Sequence, residues 1–212
     1  MMFFKVNLLS LVYLIASLVC SRAYETVEDA AVIARRLVDD SPNFIATMAT
    51  VYPSDHPHMA GQPFALQAYY STYYQNGSLL LLVLPISRHT QNIMQSPGHT
   101  ASLTMASPLP AARSARVSLA GNVTIFWDDE DIAEEEAMKA FYLAQHPDAK
   151  RWLPNDDGAA HIAFWARFDP QDVYFVGGFG TTHYIGGIPL DLYQRSSSKR
   201  GVAGRLFVTQ YA

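Results

Sequence analysis

Apolar residues recur at three- and four-residue spacing over 26–38, where Val27, Ala30, Ala31, Ala34, Leu37 and Val38 share one face of a helix that Ser41-Pro42 ends. Beyond it the period changes to two. Residues 44–51 read as a strand, a Pro/His/Gly loop follows, and 63–70 and 79–84 read as strands flanking an Asn76-Gly77 turn. The segment 79–84 is apolar throughout, as a strand covered on both faces must be. Residues 99–106 alternate, with Ala101, Leu103 and Met105 on one face and Thr100, Ser102 and Thr104 on the other. Alternation returns over 116–127: Val117, Leu119, Val123, Ile125 and Trp127 point one way, Arg116, Ser118, Asn122 and Thr124 the other. Gly121 interrupts this run where a bulge or bend would help close a barrel.

A second helix is expected over 128–144, its acidic start Asp128-Asp129-Glu130-Asp131 complementing the dipole as a solvated entry. Two last strands, 160–168 and 172–176, are expected around a turn at Asp169-Pro170-Gln171, before Gly177-Gly178-Phe179-Gly180. No internal repeat is present. One helix, five or six mostly consecutive strands, a crossing helix and a final strand pair predict a mainly antiparallel small barrel with helices over its openings. The 212 residues, half of them hydrophobic and 16% charged, suffice for one domain with one sizeable core.

The chain opens on Met1-Met2-Phe3-Phe4-Lys5, an apolar run over 6–19, and small residues at Ser21 and Ala23. That pattern predicts a secretory signal peptide over 1–23, cleaved after Ala23. An uncleaved anchor fits less well, because the run is shorter than the roughly 20 residues a spanning helix needs. Cleavage would remove Lys5 and Arg22 from the 15 basic residues set against 19 acidic ones, moving the net charge from −4 to about −6. No basic cluster denser than Arg35-Arg36 or Lys199-Arg200 occurs, which argues against nucleic-acid binding. The one cysteine, Cys20, falls inside the leader as a passive hydrophobe, Val19 before it being too bulky for a lipoprotein site. The mature chain is therefore expected to stand without a disulfide.

Two sequons, Asn76-Gly77-Ser78 and Asn122-Val123-Thr124, become candidate N-glycosylation sites behind such a leader. No nucleophile elbow, Walker loop or Rossmann fingerprint is present, so no catalytic residue is assigned. His56-Pro57-His58 has no third ligand near it and reads as a solvated loop, so no metal is expected. The segment from Gln194, with Ser196-Ser197-Ser198-Lys199-Arg200-Gly201, reads as a loose polar tail, 194–212, after a domain spanning 24–193.

A series of segments resembles the CREG family of secreted glycoproteins and, more widely, the pyridoxamine 5′-phosphate oxidase-like proteins. They are Gly61-Gln62-Pro63-Phe64, Leu84-Pro85-Ile86-Ser87-Arg88-His89-Thr90-Gln91-Asn92-Ile93 with Ala101-Ser102-Leu103-Thr104-Met105, Val117-Ser118-Leu119-Ala120-Gly121-Asn122-Val123, Phe141-Tyr142-Leu143-Ala144-Gln145-His146-Pro147, and Tyr174-Phe175-Val176-Gly177-Gly178-Phe179-Gly180. The resemblance implies a mainly β, six-stranded antiparallel FMN-binding split barrel. It implies a homodimer, with a flavin site at the dimer interface in the enzymatic relatives, and an extracellular or endolysosomal destination.

The family reading is a growth or differentiation factor without an established reaction, engaging a protein or glycan-reading receptor and holding no stable membrane span. Flavin mononucleotide (FMN) is the alternative cofactor. Ser87, Arg88 and Thr90, with Asn92 behind them, match the phosphate-contacting segment of the flavin-binding relatives, where hydroxyl and cationic donors meet a helix N-terminus. The strand over 63–70, which supplies further cations in the flavin oxidases, has none here, so no bound cofactor is the first expectation. His183 lies where haem-handling split barrels can place C-terminal histidines, which makes haem a third reading.

Overall fold

The computed structural model describes residues 24–127, 132, 134–156 and 158–196. The expected leader, the acidic run 128–131 and residues 197–212 of the expected tail lie outside the described residues. In chain order the elements are α1 (Val27–Asp39), β1 (Ile45–Val51), β2 (Pro63–Tyr69), β3 (Leu79–Val83), α2 (Arg88–Gln95), β4 (Thr100–Ala106), β5 (Arg116–Ile125), α3 (Glu135–Gln145), β6 (Phe164–Val176), β7 (Ile185–Gly187) and α4 (Leu190–Arg195). Short 3₁₀ turns at Pro97–His99 and Pro147–Trp152 precede β4 and follow α3.

The sheet is antiparallel throughout, in the order β2-β1-β4-β5-β6-β3, with β7 added beside β6. Ser71, just past β2, bridges Leu80 in β3, so the two ends of the strand order meet and the sheet curls into a barrel. The architecture is the mainly β antiparallel barrel expected from the sequence, with one short strand, β7, beyond the six.

Alternation places the core. Ala101, Leu103 and Met105 from β4 and Val117, Leu119, Val123 and Ile125 from β5 are buried, and Phe168, Val173 and Phe175 from β6 meet them. Each fully buried leucine or phenylalanine contributes roughly 1.5–3 kcal/mol. The unbroken apolar character of β3 has a direct cause: Leu79 and Leu81 face this core, while Leu80 faces a second cluster with Met138, Tyr142, Ala149, Leu153 and Trp165. There α3 and the 3₁₀ turn after it cover the outside of the sheet, and Trp165 Nε1 donates to Glu135 Oε1 at 3.1 Å.

α1 begins with a reciprocal cap. Asp29 N–H donates to Thr26 Oγ1 at 3.2 Å, and Thr26 N–H donates to Asp29 Oδ2 at 3.1 Å. Its buried face carries Arg35, which donates to both carboxylate oxygens of Asp39 at 2.9 to 3.2 Å and lies 5.2 Å from the Tyr193 ring centroid of α4.

Several expected elements take a different form. Residues 164–176 make one continuous strand in place of two strands around a turn. Pro170 sits opposite Gly121, where the β5–β6 register shifts, so the proline's missing N–H falls at the bulge. A Cβ on Gly121 would lie 2.1 Å from the Asp169 carbonyl oxygen, which is why glycine occupies the bulge. Residues 160–163 are not strand, because β6 finds its partner β3 only from Phe164 onward. β2 and β3 flank the Asn76-Gly77 turn without pairing as strands; β3 pairs with β6. Trp127 lies past the end of β5, more than a third exposed and packed edge-on against Phe164. The helix expected over 128–144 is described from Glu135, following Glu134 at φ 66°. Gln194 and Arg195 belong to α4, whose Tyr193 is fully buried.

Candidate functional site

The segment Ser87-Arg88-His89-Thr90 opens α2, as the sequence suggests, with His89 and Thr90 turned inward. Ser87 caps the helix: its Oγ accepts from the Thr90 N–H at 3.2 Å and lies 2.8 Å from Thr90 Oγ1. One of these two hydroxyls donates to the other, and Thr90 is buried. Asn92 is also buried and donates from Nδ2 to Thr50 Oγ1 in β1 at 3.1 Å. Ser87 and Arg88 are half-buried, the Arg88 guanidinium lying 5.3 Å from the centroid of the Tyr52 ring.

His89, between them, is buried against Phe64 with its Nδ1 3.4 Å from Thr50 Oγ1. Burial holds its pKa below the ordinary imidazole value, against a smaller upward pull from the Leu66 backbone. The Thr50, His89 and Asn92 cluster ties α2 onto β1, and nothing in the local sequence marks Thr50 as its partner.

A flavin nucleotide requires several cations or free hydroxyls around its phosphate. At this helix start Arg88 suits an anion, yet the Ser87 and Thr90 hydroxyls bond to each other, the Thr90 N–H and the Asn92 Nδ2 are taken by Ser87 and Thr50, and β2 brings no lysine or arginine. The residues present do not fit a complete flavin cradle.

Beside this helix the barrel is open. Leu66 of β2 lies in register with Met48 of β1 and so points to the same side of the sheet, but Met48 is 4% exposed and Leu66 61%. Ile86 and Met94, before and within α2, are also exposed apolar residues. β2 is an edge strand of seven residues without a single charge, a form that soluble proteins normally cover.

His183 lies at another part of the surface. Its Nδ1 is 3.0 Å from Glu25 Oε2, which also accepts from the Tyr184 N–H at 3.3 Å, while Glu25 N–H donates to the Thr182 carbonyl. The pair packs against Gly177 and Gly178; a Cβ on Gly177 would lie 2.4 Å from Glu25 Oε2. Sequence reasoning missed Glu25, since 158 residues separate it from its partner. His56 Nδ1 accepts from the Met59 N–H at 3.1 Å within its own loop, and its ring packs on Tyr52. Among the described residues no group of three or more His, Cys, Asp or Glu converges as a metal set would. Asn76 is exposed on its turn, and Asn122 is half-buried on β5.

A single antiparallel sheet curled until its first and last strands meet, with helices across it, is the split-barrel class. The CREG beta-barrel family model matches residues 25–195, and the chain belongs to that family. Among solved structures it is similar to a heme binding protein from Mycobacterium smegmatis, at TM-score 0.59 and 22% identity over 82% of this chain and 62% of that one. It is similar to Campylobacter jejuni ChuZ at TM-score 0.56 and 12% identity, over 84% and 68% of the two chains. A weaker likeness, TM-score 0.44 and 17% identity over 69% and 80%, is to a pyridoxamine 5′-phosphate oxidase-related, FMN binding protein from Nostoc punctiforme PCC 73102. No curated protein matches the chain. No helix among the described residues is long and apolar enough to cross a membrane.

Proposed function

We propose that the chain is an exported, N-glycosylated split-barrel protein that acts by binding, as a homodimer and without catalysis, in the extracellular or endolysosomal space. The observation that carries the non-catalytic reading is the helix start of α2, where Ser87 and Thr90 bond to each other and Asn92 bonds to Thr50. Homodimerisation is supported by the uncovered Leu66 on an uncharged edge strand, which a second copy would shield from water. A protein or glycan-reading receptor would then meet the dimer.

The test is the visible spectrum of protein purified from a secretory host, followed by titration with FMN. A colourless protein with no saturable FMN binding is expected. A stoichiometric flavin that Arg88→Ala releases would replace this reading with an FMN-dependent oxidoreductase.

A second reading, haem binding, is favoured by one observation. With Nδ1 turned to Glu25, the His183 ring is oriented as metal-bound imidazoles are when a carboxylate backs them. The mycobacterial neighbour is described as heme binding. Haem titration would show a Soret shift in the wild type that His183→Ala abolishes; an unchanged spectrum in the wild type removes this reading.

A further inference from the structure

The two sequons occupy different physical situations, and this difference refines the glycoprotein reading, on which it rests. Asn76 stands exposed on the turn before β3. Its Oδ1 accepts from the Ser78 N–H at 3.1 Å, an Asx turn, and its Nδ2 makes no hydrogen bond among the described residues. The rest of this sequon is sealed. Ser78 is 1% exposed and its Oγ donates to Asp169 Oδ1 at 2.7 Å. Gly77, at φ +84°, is wedged so tightly that a Cβ would lie 2.4 Å from Arg35 Nη1 and 2.7 Å from Tyr193 Cε1. The serine hydroxyl is therefore out of an enzyme's reach once β3 has docked on β6, while the asparagine nitrogen stays outside.

Asn122 reverses this arrangement. Thr124 is exposed, but Asn122 itself sits in β5 between β4 and β6, and its Nδ2 donates to the Gly98 carbonyl at 2.6 Å. A Cβ on Gly98 would lie 3.1 Å from that nitrogen, so the turn sits directly against the amide on that side. This amide clasps the 3₁₀ turn Pro97–His99 onto β5. A sugar on the nitrogen would have to enter that space and disturb the clasp.

We infer that Asn76 is the glycan-bearing asparagine of the exported, folded protein, modified before β3 pairs with β6, and that Asn122 is a structural amide left unmodified in that pool. Chains modified at Asn122 lose the Gly98 clasp and fold less well.

The test expresses the full chain with its own leader, and a second version in which an unrelated export leader replaces residues 1–23, both in a glycosylating host. Deglycosidase mobility and glycopeptide mapping are read on the exported protein. Asn76→Gln is expected to abolish the mobility shift, and Thr124→Ala, which deletes the other sequon while sparing the Asn122 amide, is expected to leave it unchanged. A glycan mapped to Asn122, a shift that survives Asn76→Gln, or exported protein with no glycan overturns the inference. If only the version with the replaced leader is exported and carries its glycan on Asn76, the export reading fails and the sequon inference stands.

Discussion

The barrel's two sides are built to different standards. The core-facing residues of β4 and β5 are buried and Phe168, Val173 and Phe175 of β6 join them, each of these strands is paired on both edges, and at the bulge Asp169 and Pro170 leave no room for a Cβ on Gly121. β2 is paired on one edge, and Leu66 stands mostly in water although it points to the core side. In the adjoining α2, Asn92 and His89 hold the helix on β1 through Thr50, while Ser87 and Thr90 bond to each other at its start. Stability therefore resides in the closed side, and the open side is left available for contact with another surface.

Substitutions that treat the two sides alike should separate them. Gly121→Val is expected to give the largest loss, more than about 4 kcal/mol and failure to accumulate as soluble protein, because backbone atoms of Asp169 cannot retreat from a new Cβ. Leu103→Ala in β4 is expected to cost about 3 kcal/mol in urea unfolding, whereas Leu66→Ala in β2 should stay within about 0.5 kcal/mol when measured on dilute monomer. Equal losses at the two leucines would mean that β2 is not an open edge.

The smallest effect concerns pH. His89 is held neutral by burial, so its folded pKa lies below the unfolded value of about 6.5. Between those two values the unfolded chain binds the extra proton, and stability must fall as the pH falls through that window, levelling off once the folded form also protonates. The difference in unfolding free energy between wild type and His89→Gln should shrink over that window on acidification. A difference independent of pH would remove His89 as the source.

Much of this architecture was legible in the chain. Period-two alternation marked β4 and β5, an unbroken apolar run marked β3 as covered on both faces, and Gly121 announced the bulge. Pro170 misled because a proline between two short apolar runs is locally a turn signal; its true context is Gly121, which no local window includes. Arg35 escaped notice as a core residue although it stands four positions after Ala31 on the same helix face, because charge normally overrules spacing. At the candidate site, Ser87 followed by Thr90 could be read either as a phosphate contact or as a cap. The direction of the side chains decides for the cap: Ser87 Oγ accepts from the Thr90 N–H, while Asn92, two residues on, is turned to Thr50 in β1.

The central claim is that the open β2 side is closed by a second copy of the chain. Sedimentation equilibrium of the exported protein at micromolar concentration tests it, with Leu66→Asp as the paired variant. Wild type at twice the chain mass and the variant at the chain mass, both with the same circular dichroism, is the expected result. A monomeric wild type, or a Leu66→Asp variant that remains fully dimeric, would contradict it.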